Sequence, residues 1–256
     1  KDKTPPKQDS LEIFIQSLTD ICDRIKGQYE IEGIALSMPG IIDSKKGFMY
    51  TGGSLFCISN VNIGEILEKK VGIPVTVEND AKCAALAEIW QGSLKDCQNA
   101  IVVVCGTAVG GAVIVNREIV SGKNFMAGEF NYVITDSKDD YKMSNSLAET
   151  AGAQALLNSV SVETGIPVEE LNGEKAFSLA NQGNDKALAG IRNHAKKLAI
   201  HIHNCQYMFD PEKIAVGGGI SEQPLLLQLI REELAKINGM YPWTLPVPEV
   251  TSCRFY

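Results

Sequence analysis

Three short junctions in the 256-residue chain hold residue types that could do chemistry. In the first, VTVENDAKCAALAE, Asn79 and Asp80 stand between a short apolar run and an alanine-rich one. A carboxylate there has two uses. It accepts the free N–H groups that open a helix, or it takes the proton of an attacking hydroxyl. Residue type leaves both open. In the second, CGTAVGGAVI, Thr107, Gly110 and Gly111 lie in a tight connection between apolar runs. Backbone N–H groups that no side chain shields can wrap phosphate oxygens, although hairpin glycines also serve simply to supply positive φ. No Gly-Lys-Ser/Thr follows, so this is not a Walker A loop. In the third, DPEKIAVGGGIS, the glycines Gly217, Gly218 and Gly219 let a flat ring approach the backbone closely, or merely reverse the chain.

These junctions need elements to hold them, and the apolar spacing supplies a set. Leu11, Phe14, Ile15, Leu18, Ile21, Cys22 and Ile25 recur at helical spacing, with Asp9 and Glu12 as a capping-box start, so a helix is expected to about Gly27 after a polar, proline-bearing linker at Lys1 to Gln8. IEGIALS is expected as a buried strand closed by Pro39 and Gly40, and GIIDSKKGFMY as a turn into another extended piece. A short helix over Ile63 to Val71, a buried strand over Val75 to Glu78 and a helix over Asp80 to Trp90 follow. Strand and helix alternate, which is the α/β order.

Beyond Gln98, AIVVVCGTAVGGAVIVNREIV carries the pattern of a β-hairpin. A loop over Ser121 to Tyr132 and a strand over Asn131 to Thr135 are expected next. Helices follow at Leu147 to Thr164, in pieces over Val168 to Asn181, and at Asp185 to Phe209. Lys213 to Val216 reads as a strand and Gln223 to Ile237 as a helix.

Composition narrows the function. With 45% hydrophobic and 21% charged residues the chain is of the globular kind, and a net charge of −7 opposes attraction to nucleic-acid or membrane phosphates. No apolar run approaches the length of a membrane span, so a cytoplasmic protein is expected. Seven scattered cysteines without a C-x-x-C pair read as buried thiols. His201 and His203, two apart in a helical run, point to different helix faces, and no zinc site is expected.

Order and spacing of the motifs add what no single one carries. SMPGIID, VENDAKCAALAE, GTAVGGAVI, AGEF and FDPEKIAVGGGIS, taken in sequence, resemble the ROK sugar kinases over about residues 9 to 256. That resemblance implies a two-lobed actin-like ATPase (ribonuclease H-like) fold around a cleft, with residues 1–92 in the small lobe and 93–256 in the large one. It also implies ATP and Mg²⁺ as cofactors, a glucose-like hexose as substrate, and a homodimer. Residue by residue, it makes Asp80 the catalytic base and Asn79 a sugar-binding neighbour. Thr107, Gly110 and Gly111 match a phosphate hairpin, and Gly217, Gly218 and Gly219 an adenosine loop. Glu129 matches a holder of sugar hydroxyls, Gly53 and Ser54 match further sugar contacts, and Pro39 and Gly40 match a structural turn.

The chain departs from the family pattern at three places. Tyr132 stands where the family has a histidine followed by a zinc-binding cysteine cluster, which implies a zinc-free branch and leaves a β-glucoside or N-acylated amino sugar open as substrate. A sugar-binding glutamate aligns with Ala148, with Glu149 one step away. The family's opening Asp-x-Gly-Gly-Thr hairpin and closing helix have no counterpart, and the first residue is Lys1, so an incomplete small lobe trimmed at both ends is expected. Two other readings stand beside the kinase: a sugar-responsive transcriptional regulator, and an inactive sugar-binding relative.

Overall fold

A computed structural model describes residues 10–137, 140 and 142–255. They divide into two units, Lys1–Cys83 with Gly122–Met126, and Ala84–Ser121 with Ala127–Tyr256.

The first unit opens with α1 (Leu11–Lys26). Its N-cap is Ser10, whose side chain accepts from the Ile13 amide, rather than the expected Asp9, which lies outside the described residues. After β1 (Ile34–Met38) come the short strands β2 (Ile42–Asp43), β3 (Phe48–Met49) and β4 (Val61–Asn62), which form a small antiparallel sheet. Helix α2 (Ile63–Val71) leads to β5 (Val75–Asn79) and then to α3 (Asp80–Gln91), which begins in this unit. β1 and β5 pair in parallel, Ile34 opposite Val75 through Met38 opposite Asn79. Both were expected to be buried strands. Instead their exposure alternates, with Ala35, Ser37 and Thr76 open and Met38, Val77 and Asn79 covered. The pair has one packed face, against Phe14, Ile15, Ile58 and Ile63, so period-two alternation replaces a continuous buried run.

The second unit is built on the sheet of β6 (Ala100–Cys105), β7 (Val109–Val115), β8 (Glu118–Ile119), β9 (Lys213–Gly217) and β10 (Val250–Ser252), in the order β10-β9-β6-β7-β8. β6 is central, parallel to β9 and antiparallel to β7, and both its faces are covered. Ile101 and Val103 face the helices α4 (Leu147–Ala151), α5 (Ala153–Thr164), α6 (Gly173–Asn181), α7 (Asp185–Phe209) and α8 (Pro224–Asn238). Ala100 and Val102 face Ala85 and Ile89 of α3. Each fully buried Val, Leu or Ile contributes about 1.5–3 kcal/mol, so this double-sided packing stabilises the sheet that carries the hairpin and the glycine loop.

Three expectations are corrected by the structure, and one strand is new. Asn131 to Thr135 is not a strand but the end of a 3₁₀ turn (Phe130–Tyr132) followed by one isolated bridge, Ile134 to Ser146. The helix expected from Leu147 to Thr164 breaks at Gly152, which is extended, with φ −72° and ψ 174°. A Cβ at Gly152 would stand 2.5 Å from the Thr107 carbonyl oxygen, so the break is where the hairpin turn presses in. Gly110 and Gly111 lie within β7 rather than in the turn, opposite Val104 and Val103. The strand β10 has no counterpart in the sequence reading.

One buried carboxylate organises the end of this unit. Glu88 is fully buried; one oxygen accepts from the Ser93 amide and hydroxyl, the other from the Arg254 and Phe255 amides, at 2.7 to 2.8 Å.

Candidate functional site

In the first unit, strand β5 ends on Asn79 and α3 starts on Asp80, so the two side chains meet different surroundings. Asn79 is buried: Oδ1 accepts from the Ala81 and Lys82 amides at 3.0 and 3.1 Å, and Nδ2 donates one hydrogen to the Gly40 carbonyl at 3.0 Å. That is the bonding of a helix N-cap. Asp80 is exposed, and among the described residues its Oδ1 shares the Ala81 amide alone, at 2.8 Å. Of the two uses open to this junction, capping falls to Asn79, and the Asp80 carboxylate is turned to solvent.

Around Asn79 the loops fit closely. Gly40 has φ 106°, and a Cβ there would stand 2.0 Å from the Thr51 carbonyl oxygen. Gly53 packs over Pro39 and Gly40 with φ 56°, and Ser54 beside it is exposed. The structure therefore brings Gly40, Gly53 and Asn79 together. Sequence reasoning missed Lys82, which is 1% exposed and donates from Nζ to the Phe125 carbonyl at 3.1 Å. A lysine one turn into a helix reads as a solvated residue, and no signal in the chain marks this one as buried. Beneath the junction, burial pushes the Cys83 thiol up; a hydrogen bond with Ser37 opposes this, and the negative Glu78 and Asp80 add to it.

In the second unit, the β6–β7 turn Gly106-Thr107-Ala108 is exposed. The Gly106 carbonyl accepts from the Ala153 amide at 2.9 Å, and the Thr107 carbonyl faces Gly152. In a trans peptide the N–H points opposite to the C=O, so the Thr107 and Ala108 amides are aimed away from α5, toward the open side. Such amides suit phosphate oxygens. Gly111 serves packing: a Cβ there would stand 2.4 Å from both Phe130 Cδ2 and the Val102 carbonyl oxygen. Gly128, with φ 82°, lies against Ala112 and the Gly111 carbonyl in the same way. Glu129 is thus held, half-buried, between two residues pinned to β7. Tyr132 and Glu149 are exposed, and α4, which carries Glu149, packs on the 3₁₀ turn that ends at Tyr132.

At the end of β9 the three glycines differ. Gly217 finishes the strand against Cys253, and Gly218 has φ 88°, with its would-be Cβ 2.2 Å from the Cys105 carbonyl oxygen. Nothing lies within 4 Å of a Cβ at Gly219, so open space remains there. The donors and the space suit nucleotide phosphates and a flat base. Among the described residues no group of three or more His, Cys, Asp or Glu side chains could hold a metal ion, and no helix is long and apolar enough to cross a membrane. All seven cysteines are free thiols; burial pushes those of Cys105, Cys205 and Cys253 up to about 12.

The ROK family model matches residues 1–254. A beta-glucoside kinase of Klebsiella pneumoniae is 35% identical over 207 residues, spanning 80% of this chain and 69% of that protein. The solved structure of a ROK family protein from Streptococcus pneumoniae TIGR4, in complex with sucrose, is 27% identical with a TM-score of 0.83, covering 96% of this chain and 82% of the other. A ROK family transcriptional regulator has the same fold, with a TM-score of 0.79 at 24% identity over 96% of this chain and 64% of its own.

Proposed function

The chain belongs to the ROK family, and we propose that it is an ATP-dependent kinase that phosphorylates a hydroxyl of a glucose-like hexose or of a β-glucoside. The observation that carries this reading is the division of labour between Asn79 and Asp80: because Asn79 caps α3, the neighbouring carboxylate is left exposed at a strand end. The likeness to a beta-glucoside kinase supports the sugar class.

In this mechanism Asp80 accepts the proton of the sugar hydroxyl as its oxygen forms a bond to the γ-phosphorus and the bond to the β-phosphate oxygen breaks. ATP supplies the phosphoryl group, and Mg²⁺ bound with it would neutralise charge on that group. On the first unit, Gly53 and Ser54 contact the sugar, and Asn79 does so through the one amide hydrogen its capping leaves over. On the second, the Thr107 turn holds phosphate oxygens, Gly217 to Gly219 take the adenosine, and Glu129, Tyr132 and Glu149 meet sugar hydroxyls. Gly110 and Gly111 act by shaping the hairpin.

The test is sugar phosphate and ADP formation by the full-length protein with a panel of hexoses and β-glucosides. Asp80→Asn should lower kcat by on the order of 10² to 10⁴ while shifting stability by only a few tenths of a kcal/mol. An unchanged kcat retires Asp80 as the base. Sugar binding without phosphate transfer by the wild-type protein replaces the kinase with a sugar-responsive regulator or an inactive sugar-binding relative.

A further inference from the structure

Within the first unit a closed circuit of contacts runs around Asp80. The Gly40 carbonyl accepts from Asn79 Nδ2, and Asn79 Oδ1 accepts from the Lys82 amide. Lys82 Nζ donates to the Phe125 carbonyl. The Phe125 ring stacks on Tyr50, with centroids 5.4 Å apart and planes at 22°. The Tyr50 amide donates to the Ile41 carbonyl at 2.8 Å, next to Gly40, which closes the loop. Asp80 sits on this circuit between Asn79 and Lys82.

Two links are costly to keep. Burying an ammonium group is costly unless its charge is used, yet Lys82 is buried to meet one backbone carbonyl. Phe125 has φ 61°, a strained region for a bulky side chain, and it is held there from both ends by Lys82 on its carbonyl and Tyr50 on its ring. Strain kept in place by a buried charge points to a task at that spot. What the arrangement presents is aromatic: Tyr50 is 42% exposed, with Phe48 edge-on to it at 5.0 Å.

We propose that Tyr50 and Phe125 form a stacking wall for the ring carried on the anomeric oxygen of a glycoside, and that Lys82 is the positioning residue that ties this wall to the turn of α3 that opens with Asp80. This rests on the sugar-kinase reading and narrows its substrate to a β-glucoside. A free hexose carries only a hydrogen on that oxygen. A β-glucoside carries a second ring, sugar or aryl, whose apolar face gains by leaving water against an aromatic surface. Lys82 ties Phe125 to the first turn of α3, the turn that opens with the proposed base, so the wall and Asp80 belong to one junction of the first unit.

Steady-state kinetics and calorimetric binding of glucose and cellobiose to the full-length protein test this. Tyr50→Ala should raise the cellobiose KM about tenfold more than the glucose KM with little change in kcat, and Tyr50→Phe should restore the wild-type ratio. Lys82→Met, which keeps the length and removes the charge, should produce the same split by releasing Phe125. Equal changes for the two sugars in Tyr50→Ala, or no change, overturn the wall. If the wild type phosphorylates neither sugar, the kinase reading fails and binding decides: selective loss of cellobiose affinity in Tyr50→Ala keeps the wall, equal affinities overturn it, and no wild-type affinity for either sugar overturns both.

Discussion

Adjacent residues of similar shape can carry opposite duties, and Asn79 and Asp80 are such a pair. Asn79→Ala removes the acceptor of two backbone amides and the donor to Gly40, and should cost about 1–2 kcal/mol of stability. Asp80→Ala, which loses only the shared Ala81 amide, should cost less than half of that. Denaturant midpoints of the two variants measure the difference, and the reverse order would return the capping role to Asp80. Sequence brought attention to both residues but left their duties open, because Asn and Asp are equally good caps. The choice is made by β5, which ends with Asn79 turned to the covered side. Lys82 and Tyr50 were not legible at all, since nothing local distinguishes a buried lysine or a stacked tyrosine from solvated ones.

Helices came through the sequence almost to the residue. α2 and α7 have the expected bounds because periodicity and capping are local properties. Features imposed by a distant backbone did not come through. The break at Gly152 exists because Thr107 approaches it, and β10 is a three-residue strand whose partner β9 supplies its pairing. Glycines in the hairpin illustrate the same limit, since two of the expected turn residues are strand residues. Two substitutions separate packing from ligand contact. Gly111→Ala drives a methyl group into Phe130 and the Val102 carbonyl, and should cost about 1–3 kcal/mol or more by overpacking, read as a lowered melting temperature. Gly219→Ala meets open space and should leave melting unchanged while raising the KM for ATP. Unchanged melting in Gly111→Ala would show that Phe130 swings aside.

At the scale of the whole molecule, the α/β order and the motif succession were enough to reach the family, because both are carried by sequence order alone. A division of units inside a continuous helix, between Cys83 and Ala84, leaves no mark in composition. Burial also sets how the protein responds to acid. His194 and His201, inside the second unit, are both pushed down from 6.5 to about 4 by burial. A histidine with a lowered folded pKa contributes stability that is fully present above 6.5 and lost as pH falls toward 4, because the unfolded chain takes the proton first. The loss should approach roughly 3 kcal/mol per histidine. Denaturant midpoints measured from about pH 8 down to 4.5 should be level at first and then decline below 6.5, and His194→Gln and His201→Gln should each flatten the decline. A profile unaltered by both variants would assign acid sensitivity to other groups.

The bonds made by Glu88 have a further consequence, for ionic strength. Among the described residues every hydrogen-bond donor to this carboxylate is a neutral amide or hydroxyl, and the group is closed off from solvent. An exposed ion pair such as Lys69 with Glu65 fades as dissolved ions screen it. The tie holding residues 254 and 255 is made of hydrogen bonds from neutral groups, so brine that dissolves the surface pairs leaves this joint closed.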